Sequence, residues 1–229
     1  MSPHLRRPHG FTLVELAIVL VIVALLTGGM LLSLSAQSDA RNAADARKQL
    51  NEIKDALLGF AATNGYLPCP DDDTDPTSAS YGVAETGCTN KEGWLPFKTL
   101  GVYEFDPWGT HRTQNSDPPL GRWRYRVDTA FTGAIKLTTV QTDALSIVDN
   151  RDSPLTNTAV SQDRPVVVFY STGANGAKDG FNATADPIPP SPLSGKYQSD
   201  NPGNGFDDIL GWISRPILFN RLIAAGRSL

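Results

Sequence analysis

The chain is poor in the residues that carry metal and acid–base chemistry: three histidines and two cysteines among 229 residues. His4 and His9 stand at the extreme N-terminus, so His111 is left alone in a polar stretch, and one isolated histidine does not make a catalytic array. Ser171-Thr172-Gly173-Ala174-Asn175-Gly176 lacks the pattern of a nucleophile elbow, and it lacks the lysine of a phosphate loop. No enzymatic activity is expected. Basic charge is also scarce, with 20 Lys and Arg against 24 Asp and Glu and a net charge of −4. Nucleic-acid binding calls for a basic patch, so no nucleic-acid partner is expected. The sharpest absence is local: from Leu16 to Ser38 there is no charged residue at all.

That gap in charge frames what is present. Phe11 to Leu34 is an apolar run of the length that spans a bilayer, about 20 residues, interrupted only by Glu15 near its start. A carboxylate inside a membrane segment costs at least a few kcal/mol and marks a functional residue with a partner. Cleavage after Gly10 would create such a partner, the new α-amine of Phe11. Arg6 and Arg7 precede the run, and basic flanks stay on the cytoplasmic side. A single pass with the N-terminus in the cytoplasm and the rest outside is the expectation. Residues 1–10 are too short for an ordinary secretory signal.

Helical character continues beyond the apolar run. Leu50, Ile53, Leu57 and Phe60 or Ala61 recur at helical spacing among charged residues. One helix is expected from about Phe11 to Thr63, roughly 80 Å long at 1.5 Å per residue. Its weak point is Gly28-Gly29, since each glycine costs about 1 kcal/mol relative to alanine. Asn64-Gly65 should end it. Residues 67–120 read as loop, with prolines at 68, 70, 76, 96, 107, 118 and 119. Strands are expected at 122–128, 134–141, 165–170 and 208–213, with loop again over 173–205. Ser214-Arg215-Pro216 should open a short C-terminal helix. The expected fold class is α+β: a long N-terminal helix packed on a small antiparallel sheet, loop-rich, with a short C-terminal helix. The divisions are a basic leader at 1–10, a membrane and assembly helix at 11–35, an amphipathic half at 36–63, and a globular part at 64–229.

Cys69 and Cys88, outside the cytoplasm, read most simply as a disulfide. It would close a loop of about 20 residues and stabilise by roughly 3 kcal/mol in the chain-entropy model. Metal binding by the pair is the alternative, with no histidine nearby to complete a site. Asp71, Asp72, Asp73 and Asp75 form an acidic run without the glycine spacing of a calcium loop.

Residues 10–34 resemble the N-termini of type IV pilins and of type II secretion pseudopilins. The resemblance implies cleavage between Gly10 and Phe11 by a prepilin peptidase, and N-methylation of Phe11 by the same peptidase/N-methyltransferase. It implies that Glu15 pairs with the N-terminal amine of a neighbouring pilin-like subunit in a helical filament. The implied surroundings are the lipid bilayer of the inner membrane, an inner-membrane assembly platform and the periplasm. Leu32 stands where many pilins have proline. Asp106-Pro107-Trp108-Gly109 with Arg124-Tyr125-Arg126-Val127 resembles a turn and strand of the major pseudopilin. Val168 to Gly176 and Asp207-Asp208-Ile209 with Trp212 resemble its C-terminal loops, which enclose calcium. On that resemblance Asn175, Asp179, Asp207 and Asp208 are candidate Ca2+ ligands, with Asn175 where the family has aspartate. No other cofactor is expected.

The implied function is a structural filament subunit, a minor or atypical pseudopilin of a type II secretion system. A minor type IV pilin of a surface pilus is the alternative within the class. A membrane-anchored periplasmic enzyme or binding module is the alternative outside it.

Overall fold

The structure is a computed structural model that describes residues 12–109, 121–157, 159–160, 163–185, 195–203 and 205–229, with the backbone alone over 27–36 and at 185. Gly10, Phe11, His111 and the prolines at 187, 189, 190 and 192 lie outside the described residues. The chain divides into two units, residues 1–41 and 42–229.

Among the described residues the elements are α1 (Leu13–Asn64), β1 (Glu92–Trp94), α2 (Phe97–Leu100), β2 (Arg124–Val127), β3 (Ser146–Val148), β4 (Pro165–Ser171), α3 (Asn182–Ala185), β5 (Lys196–Gln198), β6 (Ile209–Ser214) and α4 (Arg215–Ala224), with a 3-10 turn at Thr129–Phe131. The fold class is α+β. Helix α1 runs through Gly28-Gly29 and Leu32 without a break. Its termination follows from chemistry: Gly65 takes φ +83°, and its N–H donates to the Ala61 carbonyl at 2.7 Å.

In the first unit, all described side chains of α1 are exposed; over 13–26 they are apolar all around the helix apart from Glu15, including Leu13, Val14, Leu16, Ile18, Leu20 and Leu25, and 37–41 are mostly polar. Among the described residues no helix is long and apolar enough to cross a membrane. The apolar run continues through 27–34, whose side chains lie outside that description.

In the second unit, Ala46, Leu50, Ile53, Leu57 and Ala61 of α1 are buried as one stripe. The 3.6-residue period puts these positions on one face while Lys48 and Glu52 stay outside. The stripe packs with Trp123, Tyr125, Val127, Val167, Phe169 and Ile213. All but Trp123, which immediately precedes β2, belong to a four-stranded antiparallel sheet ordered β1-β2-β4-β6. The opposite face of the sheet, with Val168 and Tyr170, packs on Leu145, just before β3, and on Ile147 and Tyr197 of a second, two-stranded parallel sheet, β3-β5. β4 is therefore buried on both faces along its whole length. Its near-continuous Val-Val-Val-Phe-Tyr run is the sequence of such a strand.

Three expectations are corrected. Residues 134–141 form no strand: the Thr139 N–H donates to the Lys136 carbonyl at 2.8 Å and the Thr139 hydroxyl accepts from the Lys136 N–H at 2.9 Å, a local turn that β-branched residues alone did not announce. Residues 67–120 and 173–205 are not loop throughout, since β1 and α2 lie in the first and α3 and β5 in the second. Three- and four-residue elements carry no period long enough to read. Ser214 caps α4 only by its extended backbone, since its side chain makes no capping hydrogen bond.

The segment between α1 and β1 is held from inside. Cys69 is bonded to Cys88, with Cα atoms 5.0 Å apart. Beside it Arg122 is 1% exposed, forms a close ion pair with Asp71, and donates to the Asp73 carbonyl at 3.0 Å. Its guanidinium lies 4.3 Å from the Tyr81 ring centre and 5.2 Å from that of Trp94. Asp71 also accepts from the Gly82 N–H at 2.8 Å. Asp71→Ala leaves a buried guanidinium without its counter-charge. The full chain should lose about 3–5 kcal/mol of unfolding free energy in denaturant titration. Glu52→Ala, which removes the exposed Lys48–Glu52 pair on α1, should cost at most about 0.5 kcal/mol in the same measurement.

Candidate functional site

The two sets of candidate residues fall in different units and are built separately. At the start of α1, Thr12 is the residue before the first helical position and Glu15 the third inside it. The Thr12 N–H and hydroxyl both donate to Glu15 Oε2 at 2.9 Å, and the Glu15 N–H donates to Thr12 Oγ1 at 3.3 Å. This reciprocal arrangement is a capping box, which satisfies two helix-end donors at once. Thr12-Leu13-Val14-Glu15 carries its Thr-x-x-Glu spacing in plain view, a signal the sequence reading did not use. The box gives Glu15 a local partner inside its own chain. A carboxylate so engaged is held at the helix entrance, on the side where the chain end lies.

The second set is in the loops between β4 and β6. Carboxylate oxygens of Asp179, Asp207 and Asp208 lie within 4.8 Å of one another. Backbone geometry aims them: the Asn175 N–H donates to Asp207 Oδ2 at 3.0 Å, the Asp179 N–H to Asp208 Oδ2 at 2.9 Å, and the Asp207 N–H to Asp179 Oδ2 at 2.9 Å. Gly173 makes the approach possible. Its φ is +64°, and a Cβ there would sit 2.3 Å from Asp207 Oδ1. Asn182, fully buried, donates to Asp208 Oδ2 at 2.8 Å and accepts the Gln198 N–H at 2.7 Å, which ties the cluster to β5. Nothing in the local sequence around Asn182 marks it, because its role exists only once β5 is beside it.

Two oxygens of the cluster, Asp207 Oδ1 and Asp208 Oδ1, are buried without a hydrogen-bond partner among the described residues. Three converging carboxylates with unused oxygens are the donor chemistry of a hard cation such as calcium. Asn175 does not offer its oxygen: the amide nitrogen faces Asp179 at 3.1 Å and the oxygen accepts the Ala177 N–H at 2.6 Å. Crowding is visible in the acidities. Burial pushes the Asp208 carboxyl up to about 7, aided by the nearby charges of Asp179 and Asp207. Asp207 is raised for the same reasons, burial first.

A buried carboxylate anchors the loop that carries the cluster. Glu92 accepts Lys178 Nζ at 2.9 Å, Arg124 Nη2 at 3.1 Å, and the hydroxyls of Tyr170 at 2.9 Å and Tyr197 at 2.5 Å. Burial alone would raise its pKa, but the charges of Arg124 and Lys178 more than offset that, and the group stays below its ordinary value. On the neighbouring loop, Asp106 Oδ1 accepts the N–H groups of Trp108 at 3.0 Å and Gly109 at 2.7 Å, and Ser171 Oγ donates to Oδ2 at 2.5 Å. Trp108 is partly buried against the main core, so the Asp-Pro-Trp-Gly turn is fastened to the end of β4.

Residues 5–31 match the model of the prokaryotic N-terminal methylation motif. That motif is the hallmark of the type IV pilin/pseudopilin family, whose members are structural proteins. It implies processing by a prepilin peptidase, a membrane-anchored N-terminus and assembly into pilin-like filaments. No curated protein and no solved structure gives a match to the chain.

The acidity of Asp208 has a measurable consequence. Between the ordinary 3.8 and about 7 the folded chain holds a proton that the unfolded chain has lost. Stability contributed by that proton is present at low pH and is lost as pH rises through about 7. In chelator, the melting temperature should therefore decline over this window, and Asp208→Asn should flatten the decline.

Proposed function

We propose that this chain is a structural subunit of a type IV pilus-like filament, more narrowly a minor or atypical pseudopilin of a type II secretion system. The observation that carries the class is the methylation motif over residues 5–31, with Glu15 at its expected place. Cleavage between Gly10 and Phe11 removes the basic leader, residues 1–10, and frees an α-amine. Residues 11–35 then anchor the subunit in the inner membrane, N-terminus inward, with 36–63 and the periplasmic part, 64–229, beyond. In the membrane Glu15 is held by Thr12. In the filament, the neighbour's methylated amine offers the carboxylate an opposite charge in a medium where neither is well solvated. Register between subunits follows, because two costly charges relieve each other only at matching depth.

The narrower assignment draws on the Asp106 turn, the loops around Asn175 and the acidic cluster. Calcium held by Asp179, Asp207 and Asp208 would fasten the β4–β6 loops to each other. A minor type IV pilin is the second reading: the disulfide and the long proline-rich insertions are atypical of the major pseudopilin and suit a minor subunit of either system.

The mature protein should have the mass of residues 11–229 plus one methyl group; an intact N-terminus would argue for a simple membrane anchor. Glu15→Ala should be processed normally yet enter filaments poorly, read by shearing or cross-linking. In calorimetry at pH 8, calcium should bind the wild-type chain, with loss of the heat in Asp207→Asn/Asp208→Asn.

A further inference from the structure

β6 is the end strand of its sheet. It pairs with β4 on one side, and among the described residues no backbone hydrogen bond reaches its other side. Natural sheets guard such edges with charges, prolines or bulges. Ile209-Leu210-Gly211-Trp212-Ile213-Ser214 carries no charge and no proline.

The edge is recessed. It runs along a cleft of about 720 Å3 that lies wholly within the second unit and takes in Asp208 to Trp212. The cleft reaches around both faces of the strand. On one face its wall is α1, which presents Arg47 and Lys54; on the other it is the loops after β3 and β5, which present Asp149 and Asp200. None of these four side chains forms an ion pair within 4 Å among the described residues, although Asp149 feels the nearby charge of Arg151 and both Asp149 and Asp200 accept backbone N–H groups. Arg47 and Lys54 stand seven residues apart, about 10.5 Å along one side of the helix.

We propose that the β6 edge is a docking site for an extended peptide segment of a partner protein whose side chains alternate acidic and basic. Strand addition to an open edge supplies the main-chain hydrogen bonds. A strand laid there sends successive side chains to opposite faces. Acidic side chains two or four residues apart would then meet Arg47 and Lys54, while the intervening basic ones meet Asp149 and Asp200. The lips thus demand a period-2 alternation of charge. A second copy of β6, itself uncharged, does not meet that demand.

The test uses the full chain in detergent micelles and a labelled, end-blocked peptide, Glu-Lys-Val-Thr-Glu-Lys, which places both acids on one face and both bases on the other. Saturable binding by fluorescence anisotropy is the expected result. The rearranged peptide Glu-Lys-Val-Thr-Lys-Glu, with each face mixed, should bind about tenfold more weakly, a difference of about 1.4 kcal/mol. Analogues N-methylated at alternate amides, made in both phases, should show one phase inactive. Arg47→Glu/Lys54→Glu should weaken the first peptide about tenfold as well. The idea is overturned if that peptide does not bind at about 1 mM, if the rearranged peptide or both N-methylated analogues bind as well as it does, or if the chain pairs with itself at the cleft instead. The peptide comparisons run on the unmodified chain, so they hold even if the double variant fails to fold. None of them depends on the leader being cleaved.

Discussion

The packing of one helical stripe against one sheet face is the constraint on which the second unit depends. Leu50, Ile53 and Leu57 are each at most 5% exposed, and burying a side chain of that size is worth about 1.5–3 kcal/mol. Their spacing fixes how α1 is rotated about its own axis. That rotation fixes which residues face outward, Arg47 and Lys54 among them. With one sheet face so covered, the other must find its own apolar partner. The short β3-β5 pair, with Leu145 just before it, supplies it through Ile147 and Tyr197. β4 is left between two apolar layers, and the polar groups near its end have to be satisfied inside the protein.

That requirement explains the buried polar centres. Glu92 is surrounded by two cations and two tyrosine hydroxyls drawn from β2, β4, β5 and the loop carrying Lys178. Arg122 and Asp71 do the same for the disulfide-bonded segment, and Asp106 for the turn at Trp108. Each is a point at which loops of long sequence separation are fastened by groups that cannot be left unpaired without cost. Two buried carboxylate oxygens of the acidic cluster lack partners among the described residues, as do a few buried donors such as Arg122 Nε and Trp108 Nε1, but only the carboxylates converge. An unsatisfied group of that kind is where a bound cation would contribute most.

The first unit obeys a different solvent logic. Over 13–26 its side chains are exposed and, apart from Glu15, apolar all round, which suits a helix covered by lipid or by other helices. Over 12–26 its polar chemistry is confined to the Thr12–Glu15 cap. The carboxylate of Glu15 serves the helix end by accepting from the Thr12 N–H and hydroxyl.

The sequence by itself determined the long helix, its apolar and amphipathic halves, the buried β4 run, the C-terminal helix and the motif at residues 5–31. All of these are local: each is written in a period, a run or a fixed spacing that needs no distant residue to be read. The tertiary structure alone decided the rest. β3 and β5 exist because they cover the second face of the sheet, and 134–141 turns because Lys136 and Thr139 bond each other. Asn182 matters because β5 comes beside Asp208. Asp179, Asp207 and Asp208 were nameable in advance, but their convergence, and the turning away of Asn175's oxygen, depend on loops meeting across the end of β4. The open edge of β6 was invisible for the same reason. A strand's sequence reports the character of its faces, whereas whether its edge has a neighbour is settled only by where every other strand has gone.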